Sequence, residues 1–404
     1  MTQMIERHRP FQTPAEEIGA RIGRLQRELK RVGAAVGWVE HLTDRLYFSG
    51  SAQDGVLLVP VAGEPIFYVR KSFDRAVAES SLNVEPYPGG RAIFALLDEL
   101  LDGGALGMAM DVTQASQYAR LMATIDGLSI IDLSATIRSL RATKSGWEQQ
   151  QIRCAAEQYN RLFDVALDWL KDPITELELT ARVEGRLRAL GHGGTIRLRR
   201  PTADIALANV VSGDTSLHPT NFNGCVGGEG PYPATPACGG WKLLESGTSI
   251  MFDIVTSYNG YQADNTRTFF MGTEIPEPLA QAHQFCVDVL KQIEQRMKPG
   301  AICSEIYREV RGWVEERGEP VGFMGYGDNR VKFYGHGVGL DLDEMPVIAD
   351  RIDVALEAGM ILAVEPKAFL PGIGPAGVEN TYVITADGCE SLCPLPLELI
   401  AVAR

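Results

Sequence analysis

The sequence lacks an excess of positive charge and any long apolar run. Its 404 residues include 38 Lys and Arg against 52 Asp and Glu, a formal net charge of −14, which disfavours a nucleic-acid partner. No stretch is apolar over the roughly 20 residues that a membrane-spanning helix needs. The amino terminus, MTQMIERHRPFQTPAEE, has no apolar signal-peptide core. We therefore expect a cytoplasmic protein without nucleic-acid or membrane partners.

The sequence also lacks a cysteine framework, a phosphate-binding loop, an internal repeat and a low-complexity tail. Its seven cysteines are odd in number and irregularly spaced, which favours reduced thiols. Cys389 and Cys393 have no second cysteine pair that would suggest zinc. These absences exclude a disulfide scaffold and leave the acidic residues as the main source of chemistry.

Hydrophobic periodicity divides the chain near residue 145. Before that point, short apolar runs alternate with helical ones, which predicts an α/β domain with a central sheet. Ser145 and Glu148 have the spacing of a capping box that opens a long amphipathic helix. We therefore predict an amino-terminal domain over residues 1–145 and a second domain over residues 146–404.

The stretch IMFDIVTSYNGYQADNTRTFF, residues 250–270, predicts a β-hairpin with its two-residue turn at Asn259 and Gly260. Side-chain alternation then places Asp253 and Asp264 on one face as diagonal neighbours. Two buried carboxylates in such positions need protons, a basic partner or metal ions between them. The predicted cross-strand pairs are Tyr258–Tyr261, Ser257–Gln262, Thr256–Ala263 and Val255–Asp264.

Three further candidate ligands lie near the end of the chain. His336 stands in YGHGVGL, Glu365 follows the apolar run of ILAVEP, and Glu379 opens VENTYVIT. Together with the two aspartates they form an oxygen-rich set suited to two divalent ions, manganese first, with cobalt, iron or zinc as alternatives. Two such ions about 3.5–4 Å apart can hold a bridging water and polarise a carbonyl.

The order and spacing of these five residues closely resemble the pita-bread metallopeptidase family, which includes methionine aminopeptidase, aminopeptidase P, prolidase and the metal-free creatinase. The motifs GYQADNTRTF, GHGVGL, VEP and VENTYVITADG are similar to its aminopeptidase P and prolidase branch. RLQRELKRVGAAVGWV, RLYFSG and SLRATKSGWE are similar to the creatinase-type amino-terminal domain and its junction. The resemblance implies a creatinase-type α/β domain followed by an α+β pita-bread catalytic domain.

The resemblance also implies a role for each ligand. Asp253 would chelate one ion, Asp264 and Glu379 would bridge both ions, and His336 would bind the other. Glu365 would be a ligand that also carries a proton from the bridging water. The alternative is an acidic hairpin satisfied within the fold, with unrelated glutamates elsewhere.

Two departures from the family pattern concern substrate binding. Where relatives continue from Gly-His-Gly to His-Glu-x-Pro, this chain reads GHGVGLDLDEMP, so Asp343 takes the place of a histidine. Gly377 stands where relatives usually carry an arginine. An anion at Asp343 would attract a cationic group or accept a hydrogen bond, unless it is an ordinary surface residue. The loss of two basic groups weakens the assignment to proline peptides.

Three further site residues are predicted outside these motifs. His218 is the candidate for the first active-site histidine of the family, or else a loop histidine. Trp241 belongs to a long Gly/Pro-rich stretch, residues 219–241, that would form a wall or lid over the metals, or else an exposed loop. Phe48, in RLYFSG, would edge the partner's pocket if the protein is a homodimer, as relatives commonly are.

The sequence thus predicts a dinuclear metallohydrolase that cleaves an amide bond of a small peptide, in the manner of an Xaa-Pro aminopeptidase or dipeptidase. One alternative is a creatinase-like enzyme that acts on a small non-peptide metabolite. A second alternative is a catalytically silent binding protein on the same fold.

Overall fold

The computed structural model describes residues 11–171, 173–199 and 204–403. Part of the amino-terminal segment on which the prediction against export rests lies outside these residues. The chain forms two compact units, Met1–Arg141 and Ala142–Arg404. None of the described helices is both long and apolar enough to cross a membrane.

The first unit contains one six-stranded sheet in the order β4-β3-β2-β1-β5-β6. Strand β1 is antiparallel to β2 and parallel to β5, and its side chains Val36 and Trp38 lie in the apolar core. The elements are α1 Ala15–Val32, β1 Ala34–Val39, α2 Leu42–Ser49, β2 Gly55–Pro60, β3 Ile66–Val69, α3 Phe73–Glu79, β4 Asn83–Pro86, α4 Gly90–Leu101, β5 Ala105–Met108, α5 Ala115–Thr124, β6 Ile130–Asp132 and α6 Ser134–Ala142.

The second unit begins with two capped helices. The predicted capping box at Ser145 and Glu148 is present at the start of the first helix, and Thr175 with Glu178 forms another at the second. These boxes satisfy backbone donors that a helix start leaves unpaired. The helices of this unit are α7 Gly146–Trp169, α8 Glu176–Ala189, α9 Glu277–Glu294 and α10 Cys303–Arg317, with 3₁₀ turns at Gly213–Leu217 and Gly327–Asn329.

The strands of the second unit form three sheets, in the orders β17-β9-β8-β7, β11-β10-β12-β15-β16 and β13-β14. Large apolar clusters pack on them, which include Phe252 and Phe269 on the first sheet and Leu362 and Val364 on the second. The strands are β7 Ala208–Ser212, β8 Ser249–Tyr258, β9 Tyr261–Met271, β10 Phe333–Gly337, β11 Glu344–Ala349, β12 Ile361–Val364, β13 Lys367–Leu370, β14 Gly374–Gly377, β15 Asn380–Ile384, β16 Cys389–Ser391 and β17 Ile400–Val402.

Candidate metal centre

The acidic hairpin consists of β8 and β9. Asn259 and Gly260 have φ values of 54° and 84°, the two positive values that a two-residue hairpin turn of type I′ requires. All four predicted cross-strand pairs are present in the register. The local sequence therefore predicts this element correctly, because the turn alone fixes which residues face each other.

Thr266 joins the hairpin to Glu379. It pairs with Asp253 across β8 and β9, and it exchanges two backbone hydrogen bonds with Glu379. Its hydroxyl oxygen lies 2.9 Å from Asp253 Oδ1 and 2.8 Å from Glu379 Oε2. Because a hydroxyl has one proton, it donates to one of these carboxylates at a time.

His336 and Glu365 come from neighbouring strands of the five-stranded sheet. His336, on β10, pairs with Ala363 of β12, and the Glu365 N–H donates to the Tyr334 carbonyl over 3.0 Å. Nε2 of His336 lies 3.8 Å from Oε1 of Glu365. The five predicted ligands thus come together in one cluster, although their role as ligands stays a prediction.

A lysine occupies one side of this cluster. Nζ of Lys367 lies 2.8 Å from Glu365 Oε2, 2.8 Å from Glu379 Oε2 and 3.2 Å from Asp253 Oδ2. The side chain is only 1% exposed. Burial alone would lower the pKa of Lys367, but these carboxylates raise it well above its ordinary value. The ammonium is therefore a fixed positive charge among three carboxylates.

The other side of the cluster has unsatisfied ligand atoms. Asp264, His336 and Glu379 each offer one ligand atom, and these atoms all lie within 4.8 Å of one another. Asp264 Oδ1 and Glu379 Oε1 are buried and have no hydrogen-bond partner among the described residues. Such orphaned oxygens beside an imidazole fit one divalent ion, which would act as a Lewis acid on a substrate carbonyl.

Burial and mutual repulsion shift the pKa values of the cluster. Burial raises the pKa of Asp264 well above its ordinary value, and the charges of Glu379 and Asp253 add to the rise. Burial also raises the pKa of Asp253, against the opposing effect of Lys367. For His336, burial would lower the pKa, but the carboxylates of Asp343, Glu365 and Glu379 raise it. A cation bound beside Asp264 would offset this effect of burial and like charge.

The cluster borders a cavity of about 70 Å³. Asp343 lines this cavity, and its Oδ1 lies 3.4 Å from Nδ1 of His336. Part of the Gly/Pro-rich stretch, residues 222–226 with Ala237, also lines it. The remaining lining residues include Ile205, Leu207, Asn209, Asp253, Val255, Asp264, Phe333, His336, Leu342 and Glu365.

Three predicted site residues of the second unit do not line this cavity: Glu379, His218 and Trp241. His218 is half exposed and pairs with Glu229 over 3.0 Å. Trp241 is 70% exposed, so the cavity wall comes from other residues of the same stretch. Phe48 is fully buried within the first unit, in an edge-to-face contact with Tyr47. Their roles in the site stay predictions.

Sequence reasoning missed Lys367 and Cys225. Lys367 stands two residues after Glu365, so side-chain alternation along an extended segment would have placed both on one face. Cys225 is fully buried, and its Sγ lies 3.4 Å from Glu365 Oε2; burial raises its pKa well above the ordinary value. No local pattern marks Cys225, because its loop meets the cluster only in three dimensions.

Close packing of two strands explains why residue 377 is a glycine. Gly377 pairs with Lys367 across β13 and β14 and has a φ of 125°. A Cβ atom there would lie 2.5 Å from the Pro366 carbonyl oxygen and 2.7 Å from Cα of Lys367. Because any side chain would collide with this backbone, the glycine permits the close approach of the strand that carries Lys367.

Comparisons with known proteins identify relatives that cover most of the chain. Residues 150–386 match metallopeptidase family M24, and residues 21–143 match the creatinase/prolidase N-terminal domain. An Xaa-Pro dipeptidase from Pyrococcus furiosus is 26% identical over 356 residues, which cover 88% of this chain and 92% of that protein.

Solved structures share the fold. A dipeptidase PepE from Mycobacterium ulcerans superposes with a TM-score of 0.80 at 22% identity and covers 98% of this chain and 100% of that one. A prolidase from Pyrococcus horikoshii has a TM-score of 0.78 at 22% identity and covers 94% of this chain and 100% of that one.

These matches confirm the resemblance drawn from the motifs, the two-part fold class and the expectation of a metal-dependent peptidase. The family implies divalent metal ions, and the open side of the cluster fits one such ion. The chain belongs to metallopeptidase family M24 and carries a creatinase/prolidase-type amino-terminal domain.

Proposed function

We propose that this metallopeptidase hydrolyses an amide bond of a small peptide or peptide-like substrate, of the Xaa-Pro type. The convergence of Asp253, Asp264, His336, Glu365 and Glu379 beside one cavity carries the proposal. The name of the P. furiosus relative, an Xaa-Pro dipeptidase, supports the same substrate class.

Within this proposal, Glu365 moves the proton. Its Oε2 accepts a hydrogen bond from Lys367 over 2.8 Å, which fixes the orientation of the carboxylate. Its Oε1 faces His336 and is the oxygen that takes a proton from the attacking water and passes it to the leaving amine. Asp264, His336 and Glu379 would hold the ion that polarises the scissile carbonyl.

The cavity sets the size and charge of the substrate. Phe222, Phe333 and Leu342 line it, and a volume of about 70 Å³ admits one small apolar group such as a proline ring. The side chain of Asp343 is 51% exposed at this cavity. Because a carboxylate there repels a free substrate carboxylate, we expect blocked, neutral or cationic amides to react faster than free dipeptides.

A substrate panel tests this proposal. The ratio of kcat/KM for Xaa-Pro amides to that for the matching free Xaa-Pro dipeptides is expected to exceed one. Asp343→His is expected to shift this ratio toward free dipeptides by about 1–3 kcal/mol, and Asp343→Asn by less, because it adds no positive charge. A wild type that cleaves free dipeptides as fast as their amides would show that Asp343 does not set specificity.

The finer features follow as parts of the same proposal. Manganese is the first candidate metal because the ligand atoms are mostly oxygens. A homodimer is proposed from the family resemblance, and light scattering at micromolar concentration tests it. A cytoplasmic location stays a proposal. Metal analysis of the purified protein tests the ion.

A second candidate is a creatinase-like enzyme that acts on a small non-peptide metabolite. Lys367 favours it, because a lysine ammonium provides positive charge inside the cluster without a metal ion. Turnover in the presence of a strong chelator separates the two functions. Peptidase activity that a chelator abolishes and divalent ions restore supports the first, whereas chelator-resistant turnover of a non-peptide metabolite supports the second.

A further inference from the structure

The environment of Lys367 resembles that of a bound cation. An ammonium group has three N–H donors, and three different carboxylates, those of Asp253, Glu365 and Glu379, lie within 3.2 Å of its nitrogen. Every donor of the ammonium thus has an anionic acceptor. At 1% exposure the side chain is enclosed, so it cannot leave this position without a movement of the surrounding protein.

Both carboxylate oxygens of Asp253 have a donor nearby. Oδ2 accepts from Lys367 over 3.2 Å, and Oδ1 lies 2.9 Å from the Thr266 hydroxyl, whose one proton it shares with Glu379 Oε2. A metal ion chelated by Asp253 would need these same oxygens. The ion would also stand against the positive charge of the ammonium, which repels it at this short range. The Lys367 ammonium therefore already occupies the cation position beside Asp253.

On the side of the cluster that contains Asp264, by contrast, some carboxylate oxygens accept no hydrogen bond from the described residues. Asp264 Oδ1 and Glu379 Oε1 are buried without a hydrogen-bond partner among the described residues, and Asp264 and Glu379 each have a carboxylate oxygen within 4.8 Å of a ring nitrogen of His336. Glu379 belongs to both sides, since its Oε2 faces Lys367 and Thr266. The Glu379 carboxylate thus contacts the Lys367 ammonium with one oxygen, and its other oxygen is available to a metal ion.

The charge of the cluster agrees with one additional ion. Asp253, Asp264, Glu365 and Glu379 carry four formal negative charges when ionised, and Lys367 reduces the total to three. One divalent ion reduces it to one. Lys367 pairs with Gly377 across β13 and β14. A Cβ atom at residue 377 would lie 2.7 Å from Cα of Lys367, so only a glycine permits this close packing of the two strands.

We propose that Lys367 is a built-in cation that takes the place of one of the two metal ions, so that each cluster binds a single divalent ion through Asp264, His336 and Glu379. The inference rests on the proposed metal-dependent function of this cluster. It concerns only the number of metal ions bound per chain. A protein that binds one ion but cleaves no peptide would therefore refute the proposed function and leave this inference intact.

The test is a titration of the metal-stripped full-length protein with Mn²⁺, followed by calorimetry and by metal analysis after desalting. The wild type is expected to bind one ion per chain. Lys367→Ala releases Asp253, Glu365 and Glu379, and it is expected to bind two. Electron paramagnetic resonance of the Mn²⁺-loaded proteins gives an independent reading, because an isolated ion and an exchange-coupled pair have different spectra.

Lys144→Ala is the matched control. Lys144 is also a buried lysine, 1% exposed, and its Nζ lies 3.0 Å from a single glutamate, Glu344. This variant is expected to bind one ion, like the wild type. Two ions in Lys144→Ala would mean that the loss of any buried lysine charge recruits metal, which would overturn the specific role of Lys367.

A second pair of variants keeps the proposal testable if Lys367→Ala does not fold. Asp253→Asn is expected to lower Mn²⁺ affinity by no more than about 100-fold, the range for residues that only support ligands. Asp264→Asn is expected to remove measurable binding. Two ions per wild-type chain, one ion per folded Lys367→Ala chain, or equal losses in the two aspartate variants would each overturn the proposal.

Discussion

In the first unit the buried Asp44 carboxylate lies 2.8 Å from the guanidinium of Arg141, whereas in the second unit three carboxylates surround the ammonium of Lys367 and a fourth, that of Asp264, lies in the same cluster. Both arrangements take charges out of water, which is costly unless partners compensate. In the first unit a buried anion lies beside a buried cation. The cluster in the second unit retains negative charge and orphaned oxygens, and such uncompensated groups mark a functional site.

The largest effect is expected from removing the Glu365 carboxylate, the group of the cluster that accepts the proton. Glu365→Gln is expected to lower kcat on an Xaa-Pro amide by about 10²–10⁴-fold, because the amide cannot accept the proton of the attacking water. Steady-state kinetics measure the loss, and circular dichroism checks the fold. Glu305→Gln, on the exposed face of α10, is the control and is expected to keep full activity. An undiminished rate in Glu365→Gln would refute the proton-transfer role.

The buried ion pair of the first unit is expected to affect stability and not chemistry. Arg141→Ala removes the guanidinium that lies 2.8 Å from the buried Asp44 carboxylate, which is expected to lower the free energy of unfolding of this unit by about 3–5 kcal/mol. Urea denaturation measures the change. Arg75→Ala removes a 72% exposed partner of Glu79 and is expected to cost less than about 1 kcal/mol. Equal losses in both variants would show that burial does not distinguish the pairs.

A smaller effect is expected at Gly377, where two strands pack closely beside Lys367. Gly377→Ala is expected to destabilise the second unit by at least about 1–3 kcal/mol, because its φ of 125° is unfavourable for alanine and the new Cβ collides with the strand of Lys367. Gly388→Ala is the control, since a Cβ there meets no atom within 4 Å. Thermal unfolding of both variants measures the difference, and equal midpoints would contradict the steric argument.

The smallest effect is expected at a surface ion pair. Arg153 contacts both oxygens of Glu390, over 2.8 and 2.7 Å, and its hydrogen bonds lower the pKa of Glu390. A carboxylate whose folded pKa is lowered stabilises the protein above its unfolded pKa, about 4.3, and this contribution is lost as the pH falls through the lower folded value.

Glu390→Gln tests this pH dependence. Because both side chains are more than one-third exposed, solvent screens the pair, and the variant is expected to lose only about 0.2–1 kcal/mol at neutral pH. The difference from the wild type is expected to shrink as the pH falls below about 4.3 and to vanish once the pH is below the lowered folded pKa of Glu390. Urea denaturation at neutral and acidic pH measures it, and a difference that grows on acidification would contradict the assigned direction.

Features that depend on near neighbours in the chain could be predicted from the sequence. The hairpin register follows from Asn259 and Gly260, because a two-residue turn fixes every later pair. The helix start at Ser145 follows from its capping box, since the bonds link residues three apart. The order and spacing of the acidic motifs identified the family. Each of these signals lies within a few residues or in a fixed order along the chain.

The sequence by itself determined that two aspartates of one hairpin share a face and need protons, a basic partner or metal ions between them. Only the tertiary structure decided which of these partners reaches which aspartate. Lys367 reaches Asp253, 114 residues away, through a strand pair that Gly377 brings close, while His336 faces Asp264 from another sheet. The placements of Phe48, His218 and Cys225 were likewise decided in three dimensions. The physical reason is that side-chain contacts between distant segments depend on how strands pack, and no local pattern in the sequence specifies that packing.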